Sequence, residues 1–309
     1  MASQQQTKPK KCLGTLQGHK NWVRECSFSS DGKILLSCSD DKTVALWDVE
    51  KQSLLGTITG HSQYVNSCRI SADGTYFASA SKDKTVKIGS MKTRQFVATL
   101  KGHANVATCV AFFPSSEAVA SGSNDHTVRL WDIKTRTTTG TLKGHDYLVT
   151  GCDISCDSLL ASVSTDKTVR LWDTNTLQCI TVLNGHASAC QKCAFSADGT
   201  FLASTSDDKT VRLWDMRSRQ SIATLIGSKN NTEQCSFSSD GVWVAAACTL
   251  DKLARVWDIR TQKTAFKLKK HTNWVSACAF SPTGMLATAG ADMTIKLWGV
   301  RPESGCMVQ

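Results

Sequence analysis

The sequence predicts an all-β fold in which one small antiparallel sheet is repeated seven times. A Gly-His pair or a variant of it recurs along the chain, and a Trp-Asp pair follows most copies about 28 residues later. The His position is occupied by His19, His61, His103, His145, His186, Ser228 and His271. These positions are 41 to 43 residues apart, a period typical of one supersecondary unit copied many times.

The first repeat shows what each unit builds. Short apolar segments that alternate with polar residues predict strands, and the clusters between them contain the Asp, Gly and Ser typical of turns. The strands are predicted over Val23–Phe28, Ile34–Ser39, Thr43–Trp47 and Leu54–Thr59, with turns at Ser30–Gly32 and Asp40–Lys42. Each repeat is therefore expected to form a four-stranded antiparallel sheet.

A sheet of this size cannot bury both of its faces alone. Seven such sheets stacked around an axis bury them and leave only short edges. The last repeat supplies three strands and ends near Val300, so its fourth strand must come from elsewhere. The segment Cys12–Gln17 is similar to the fourth strand of the other repeats. We therefore expect the N-terminal strand to join the last sheet and close the ring.

The Gly-His and Trp-Asp pairs recur in phase over all seven units, and in this the chain resembles the WD40 family. The resemblance implies a seven-bladed WD40 β-propeller over residues 11–300, with each repeat forming one blade. Residues 1–10 are expected to be a disordered N-terminal tail, and residues 301–309 a C-terminal tail. We expect the propeller to be monomeric on its own.

The resemblance also implies a hydrogen-bonded tetrad of His, Ser or Thr, Asp and Trp inside each blade. Such buried polar networks help to specify a unique fold when every member is satisfied. Five repeats match in full: His19, Ser37, Asp41, Trp47; His103, Ser121, Asp125, Trp131; His145, Ser162, Asp166, Trp172; His186, Ser204, Asp208, Trp214; and His271, Thr288, Asp292, Trp298. The second repeat has Gly89 in place of Trp, and the sixth has Ser228 and Ala246 in place of His and the hydroxyl.

Cysteine usage and the absence of a signal peptide favour an intracellular protein with reduced thiols. Six of the 14 cysteines occupy one position, seven residues after the His position, where the third repeat has Val110. A position that accepts Cys or Val is a small apolar core site. The six are Cys26, Cys68, Cys152, Cys193, Cys235 and Cys278. We expect the protein to be in the cytoplasm, with the nucleus as a second location, and to have no transmembrane segment.

The sequence offers no catalytic constellation, so we expect a non-enzymatic protein without cofactor or metal. It has no phosphate-binding loop, metalloprotease helix motif or nucleophile elbow, and six of its seven histidines belong to the repeat. His126 falls in a turn, where most other repeats have Lys. Cys190 and Cys193 have CxxC spacing, but residues three apart on a strand face opposite sides, and no second pair completes a metal site.

We expect partners to bind on one face of the ring, and the resemblance to the WD40 family implies which face this is. In the family, the face formed by the Gly-His loops and the Asp turns carries partner sites, and we call it the top face. Three positions per repeat are expected there: three and five residues after the His position, and the residue before the tetrad Asp. The expected partner-binding residues are Trp22, Arg24, Tyr64, Lys82, Leu148 and Trp274. The aromatic members Trp274, Trp22 and Tyr64 come from repeats seven, one and two, which are neighbours in a closed ring, so we expect them to form one exposed cluster. Such a cluster beside an Arg favours a scaffold or adaptor that binds proteins or peptides.

Two alternatives rest on other features. The formal net charge is +10, and basic residues cluster after the Trp-Asp pairs, on the face opposite the top face. This composition suits an RNA- or ribosome-associated propeller, although no aromatic residues interleave the charges as nucleic-acid stacking requires. The chain ends in Cys306-Met-Val-Gln, which has the form of a CaaX box. Prenylation of Cys306 would make the protein a peripheral membrane adaptor.

Overall fold

The computed structural model describes residues 11–228 and 231–300, in which the chain forms 28 β-strands. They are β1 (Cys12–Gln17), β2 (Val23–Phe28), β3 (Ile34–Ser39), β4 (Val44–Asp48), β5 (Ser53–Ile58), β6 (Val65–Ile70), β7 (Tyr76–Ser81), β8 (Thr85–Ser90), β9 (Gln95–Lys101), β10 (Ala107–Phe112), β11 (Ala118–Ser123), β12 (Thr127–Asp132), β13 (Thr138–Lys143) and β14 (Val149–Ile154). The second half contains β15 (Leu160–Ser164), β16 (Val169–Asp173), β17 (Gln178–Leu183), β18 (Cys190–Phe195), β19 (Phe201–Ser206), β20 (Thr210–Asp215), β21 (Gln220–Ile226), β22 (Thr232–Phe237), β23 (Trp243–Cys248), β24 (Leu253–Asp258), β25 (Thr264–Lys269), β26 (Val275–Phe280), β27 (Met285–Gly290) and β28 (Thr294–Gly299).

The strands form seven four-stranded antiparallel sheets, the blades of a β-propeller. Blade 1 consists of β2 to β5, and each following blade takes the next four strands, until blade 7 takes β26 to β28 and β1. The all-β seven-bladed fold predicted from the repeat is confirmed. The two expected tails, and with them Cys306, lie outside the described residues.

β1 closes the ring. It runs antiparallel to β28, with Cys12 opposite Trp298 and Gln17 opposite Thr294, and forms the outer strand of blade 7. Leu16 in this strand is 1% exposed and belongs to one apolar cluster with Ile295 of blade 7 and Trp47 of blade 1. The N-terminal segment thus supplies the strand that the seventh repeat lacks.

The apolar core lies between neighbouring blades, and the repeated cysteines are part of it. All six cysteines at the repeated position are buried, as is Val110. Every cysteine in the described ranges is a free thiol. Burial raises the pKa of Cys26 and raises that of Cys235 to about 12, so these thiols stay protonated and pack as small apolar groups. Cys190 and Cys193 are buried as well, and burial raises the pKa of each.

A chain of side-chain hydrogen bonds ties each regular blade together. In blade 1, Trp47 Nε1 donates to Ser37 Oγ at 2.8 Å, and His19 lies 2.8 Å from both Ser37 Oγ and Asp41 Oδ2. An ionised Asp can only accept, so His19 donates through Nδ1 and accepts from the Ser hydroxyl through Nε2. The same links, at 2.7 to 2.9 Å, join the other four complete sets beginning at His103, His145, His186 and His271.

Each Asp of these networks receives donors that the sequence analysis did not assign. Thr43 donates to Asp41 Oδ1 through its hydroxyl at 2.6 Å and its amide at 3.0 Å, and the Lys20 amide donates to Oδ2 at 2.9 Å. A Thr two residues after the Asp is present in six of the seven repeats. The network therefore joins the Gly-His loop to the turn between the second and third strands, and so fixes both loops of the top face.

Blade 2 replaces the missing Trp with two phenylalanines. Phe77, opposite Gly89 on one neighbouring strand, lies with its ring where a side chain at Gly89 would be. Phe96, opposite Gly89 on the other neighbour, has its ring centroid 5.5 Å from that of Phe77 and 5.4 Å from that of His61. His61 keeps its contacts at 2.8 Å with Ser79 and Asp83. The aromatic volume is thus supplied by the two neighbouring strands.

We predict that Gly89→Ala destabilises the protein by about 1–3 kcal/mol, because the new Cβ meets the Phe77 ring at 1.8 Å. Adding Phe77→Leu to Gly89→Ala should restore part of the lost stability, since Leu is the residue at the position equivalent to 77 in most other blades. Gly56→Ala is the matched control, because nothing lies within 4 Å of its added Cβ. Urea unfolding of the two single variants, the Gly89→Ala/Phe77→Leu double variant and the Gly56→Ala control measures the effect. A loss in the double variant equal to the sum of the two single losses would contradict the proposed contact.

Blade 6 keeps its Trp without the hydroxyl partner. Trp257 is buried, and its Nε1 donates to the backbone oxygen of Ile226 at 3.5 Å instead of to a side chain. Position 246 is Ala, and Ser228 takes the place of His. The top-face turn of this blade also contains one more residue before Asp251 than the other blades have. Blade 6 therefore differs from the complete blades in the length of its top-face turn and in the residues at the His and hydroxyl positions.

Candidate functional site: the top mouth of the central channel

A β-bulge in the innermost strand of every blade shapes the top end of the central channel. In blade 1 the pairing register shifts between Val23 and Glu25, which leaves Arg24 as the extra residue. The other six blades shift at the equivalent place. Bulges re-aim side chains, and here the bulged residue lies five positions after the His position. These residues are Arg24, Asn66, Thr108, Thr150, Gln191, Glu233 and Ser276.

All seven bulged residues line one cavity of about 340 Å³, which we call the mouth cavity. Its wall also contains Trp22 and Trp274, from blades 1 and 7. Of the six expected partner-binding residues, the structure brings Trp22, Arg24 and Trp274 together there. Tyr64, Lys82 and Leu148 lie on the top face outside the cavity wall.

Trp22 and Trp274 form an aromatic pair across the junction of the first and last blades. Their ring centroids are 5.5 Å apart in an edge-on arrangement, and Trp274 is 40% exposed. The Arg24 guanidinium lies 5.3 Å from the centroid of the Trp22 ring. Asp40 holds Arg24 in place by accepting two hydrogen bonds, from Nε at 2.7 Å and from Nη2 at 2.6 Å. The pair is therefore rigidly placed, and part of its apolar surface faces solvent.

Tyr64 does not join this pair, contrary to the expected cluster of three aromatic residues. Its ring lies instead under the Lys82 ammonium, 5.2 Å from the centroid. Leu148 is half-buried, while the neighbouring Tyr147 is exposed and has its ring 6.4 Å from that of His126. Sequence reasoning missed Tyr147, because it lies two residues after His145 and so falls outside the positions expected to face partners.

A buried ionic network below the mouth was also missed. Glu25 is 1% exposed and forms an ion pair with Arg69, while Lys192 Nζ lies 3.5 Å from its other carboxylate oxygen. Gln234 Nε2 donates to Glu25 at 3.0 Å. These groups come from four different blades. The available signal was that Glu25, Lys192 and Gln234 occupy one repeat position, six after the His position, where the other repeats have Ser, Cys, Gly or Ala. A buried charge needs such partners to be tolerated.

The acidic part of the mouth lies on blades 5 and 6. Asp207 Oδ1 accepts from Gln191 Nε2 at 2.8 Å. Burial and the nearby Asp207 raise the pKa of Glu233, although Lys192 and Arg24 act in the opposite direction. The mouth cavity thus has an aromatic side and an acidic side.

The basic residues on the opposite face are exposed and lie in the turns between third and fourth strands. They are Lys51, Lys92, Arg94, Lys134, Arg136, Arg217, Arg219, Arg260 and Lys263. Asp residues of the same turns accept backbone hydrogen bonds, for example Asp48 from Lys51 and Asp215 from Ser218. Their spacing around the ring follows from the repeat itself.

Comparison with known families agrees with the fold. The family model described as WD domain, G-beta repeat matches seven segments: residues 10–48, 52–88, 94–132, 136–173, 177–215, 219–258 and 262–299. The chain belongs to the WD40 family. Proteins of this family generally act by binding other proteins. Each matched segment contains the outer strand of one blade and the first three strands of the next, as β1 to β4 do in residues 10–48.

Similarity to individual curated proteins is confined to short segments. This WD40 chain is 58% identical over 41 residues to nuclear distribution protein PAC1-2 of Uncinocarpus reesii, a match that covers 13% of the chain and 9% of that relative. It is 52% identical over 42 residues to nuclear distribution protein nudF 2 of Penicillium rubens, covering 14% and 9%. Each match has the length of one repeat and spans less than a tenth of the relative, so it documents a shared WD40 unit.

Two further observations concern the described part of the WD40 chain. Strands and turns make up residues 11–228 and 231–300, and this part contains no helix with the length and apolarity needed to cross a bilayer. The same ranges hold no cluster of three or more His, Cys, Asp or Glu side chains arranged to bind a metal ion.

Proposed function

We propose that this WD40 propeller is a non-catalytic scaffold that binds protein or peptide partners at the mouth cavity of its top face. The observation that carries the proposal is the Trp22–Trp274 pair, which is partly exposed at the rim of a cavity, with the Arg24 side chain held over the Trp22 ring by Asp40. Rigid aromatic side chains beside an arginine are the composition that dominates binding energy in protein interfaces. We further propose that the protein acts in the cytoplasm or nucleus, as a monomer.

The test is capture of partners from a cell lysate by the wild-type protein and by the double variant Trp22→Ala/Trp274→Ala, read by quantitative mass spectrometry. We expect specific partners to be depleted at least tenfold, since truncating a hot-spot aromatic residue costs about 2 kcal/mol or more. The matched control is Ile180→Ala/Ile222→Ala, two exposed apolar residues on the outer strands of blades 4 and 5. Equal recovery by both double variants would contradict the proposal.

RNA binding through the opposite face is the competing function, and nine exposed basic side chains favour it. RNA binding predicts that nuclease treatment abolishes the capture of partners and that added salt weakens it steeply. It also predicts that the Trp22→Ala/Trp274→Ala variant captures these partners as well as the wild-type protein does. The same experiment therefore separates the two functions when nuclease-treated and untreated lysates are compared.

A further inference from the structure

Six of the seven bulged residues of the mouth cavity donate a hydrogen bond within the protein. Asn66 donates to Ala107 O at 2.9 Å, and Thr108, Thr150 and Ser276 likewise donate to a backbone oxygen of the next blade. Arg24 and Gln191 donate to an Asp of their own blade. Glu233 occupies the seventh position, and an ionised carboxylate cannot donate.

A carboxylate could instead accept a hydrogen bond or form an ion pair, but the Glu233 side chain does neither with any residue in 11–228 or 231–300. The cations nearest to it are already engaged: Arg24 is held by Asp40, and Lys192 by Glu25 and by Thr108 O at 3.3 Å. The carboxylate faces the mouth cavity beside a second acid, Asp207.

Gln234, the next residue, provides an independent observation. It is 4% exposed, lines the same cavity, and its Oε1 has no donor among the described residues. The orientation of the amide is set by chemistry, because Nε2 donates to the Glu25 carboxylate at 3.0 Å, and the flipped amide would place two acceptors against each other. Both unpartnered groups in this part of the cavity are therefore acceptors, and their complement is a cation that carries several N–H donors.

We propose that Glu233 and Gln234 bind the ammonium or guanidinium head of a basic side chain of the partner, while the Trp22–Trp274 pair contacts an apolar residue next to it. This inference rests on the proposed function, because it specifies the chemistry of the peptide bound at the same mouth. Lys and Arg both fit, since each combines positive charge with multiple donors and an aliphatic stem that can pass the apolar rim. The attraction between opposite charges is stronger in a cavity shielded from water, and removing one partner leaves the other charge buried and unpaired.

The first test uses oriented peptide libraries, acetylated and amidated, with Lys, Arg, norleucine or Glu at a fixed central position and random flanking residues. Norleucine keeps the aliphatic stem and removes the charge. We expect wild-type protein to retain the Lys or Arg library about tenfold more than the norleucine library, and Glu233→Gln to lose this preference. Glu117→Gln is the matched control, an exposed acid on the opposite face. Equal retention of the Lys, Arg and norleucine libraries by wild-type protein would overturn the inference.

The second test measures the cation alone. Saturation-transfer NMR with n-butylammonium and n-butylguanidinium should give signals with wild-type protein and Glu117→Gln that are lost with Glu233→Gln, with n-butanol as the neutral probe. If the cations give Glu233-dependent signals but no peptide library is retained, the cation site is supported and the peptide-binding function is refuted. If the libraries are retained through the Trp pair but neither cation gives a Glu233-dependent signal, the cation site is refuted and the scaffold proposal is still supported. Unchanged melting temperature of Glu233→Gln shows that the variant is folded.

Discussion

Deletion of residues 1–17 is expected to lower the melting temperature of the whole protein and to make its unfolding less cooperative. The deletion removes β1, so blade 7 loses its outer strand and β28 becomes an unpaired edge. It also removes Leu16 from the apolar cluster shared by blades 7 and 1. Ring closure by strands from opposite ends of the chain makes every blade depend on this junction. Calorimetry of the deletion variant measures the effect, and an unchanged melting temperature would refute the closure.

Two point variants test the same junction without removing the strand. Leu16→Ala should cost about 2–5 kcal/mol, because the side chain is 1% exposed and a cavity remains in its place. Leu13→Ala is the control in the same strand; this side chain is 46% exposed, and we expect a loss below about 1 kcal/mol. Equal losses in urea unfolding would show that the packing of β1 against blade 1 contributes nothing specific.

Acid is expected to unfold the protein steeply below about pH 4, because six Asp carboxylates sit in the repeated networks. Burial alone would raise the pKa of Asp41, but hydrogen bonds from His19, Thr43 and the Lys20 amide more than offset it and hold that pKa well below its usual range. The pKa values of the equivalent residues are lowered in the same way: Asp83, Asp125, Asp166, Asp208 and Asp292.

The sign of this effect follows from linkage. A carboxyl group whose folded-state pKa lies below its unfolded value of about 3.9 stabilises the fold fully at pH values above that unfolded value. This contribution decreases as the pH falls below about 3.9 and is lost once the pH has fallen through the lower folded-state pKa. Urea unfolding at a series of pH values between 3 and 6 measures the slope, and Asp125→Asn should reduce the proton uptake on unfolding by about one. Stability that stays constant from pH 6 to pH 3 would contradict the assignment.

The fold was predictable from sequence because the pattern of Gly-His and Trp-Asp pairs is repeated seven times. A single Gly-His or Trp-Asp pair carries little information, but pairs in phase fix the period, the strand count and the blade number. The expectation that Cys12–Gln17 resembles a fourth strand came from the same comparison, and β1 occupies that position. The repeated cysteines could be assigned to the core because Val110 shares their position.

The interior of the channel was not predictable, because it depends on contacts between residues far apart in sequence. Glu25 contacts Lys192 and Gln234 only when the ring is closed. The three residues share one repeat position, but side-chain length and direction decide which of them meet across the channel. The grouping of Tyr64 with the two tryptophans failed for a related reason: neighbouring blades are adjacent, but side-chain direction decides the contact, and Lys82 lies over the Tyr64 ring. The replacement of the blade 2 Trp by Phe77 and Phe96 likewise needs the strand register.

The central claim is that partners bind at the top mouth, and amide hydrogen exchange of the protein with and without a captured partner tests it most directly. The loops that precede the first strands of blades 1, 2 and 7, at residues 20–24, 62–66 and 272–276, should become protected, together with residues 231–234. The turns that contain the basic residues of the opposite face should exchange as they do in the free protein. Protection confined to those turns or to the outer strands, with the top-face loops unchanged, would contradict the account.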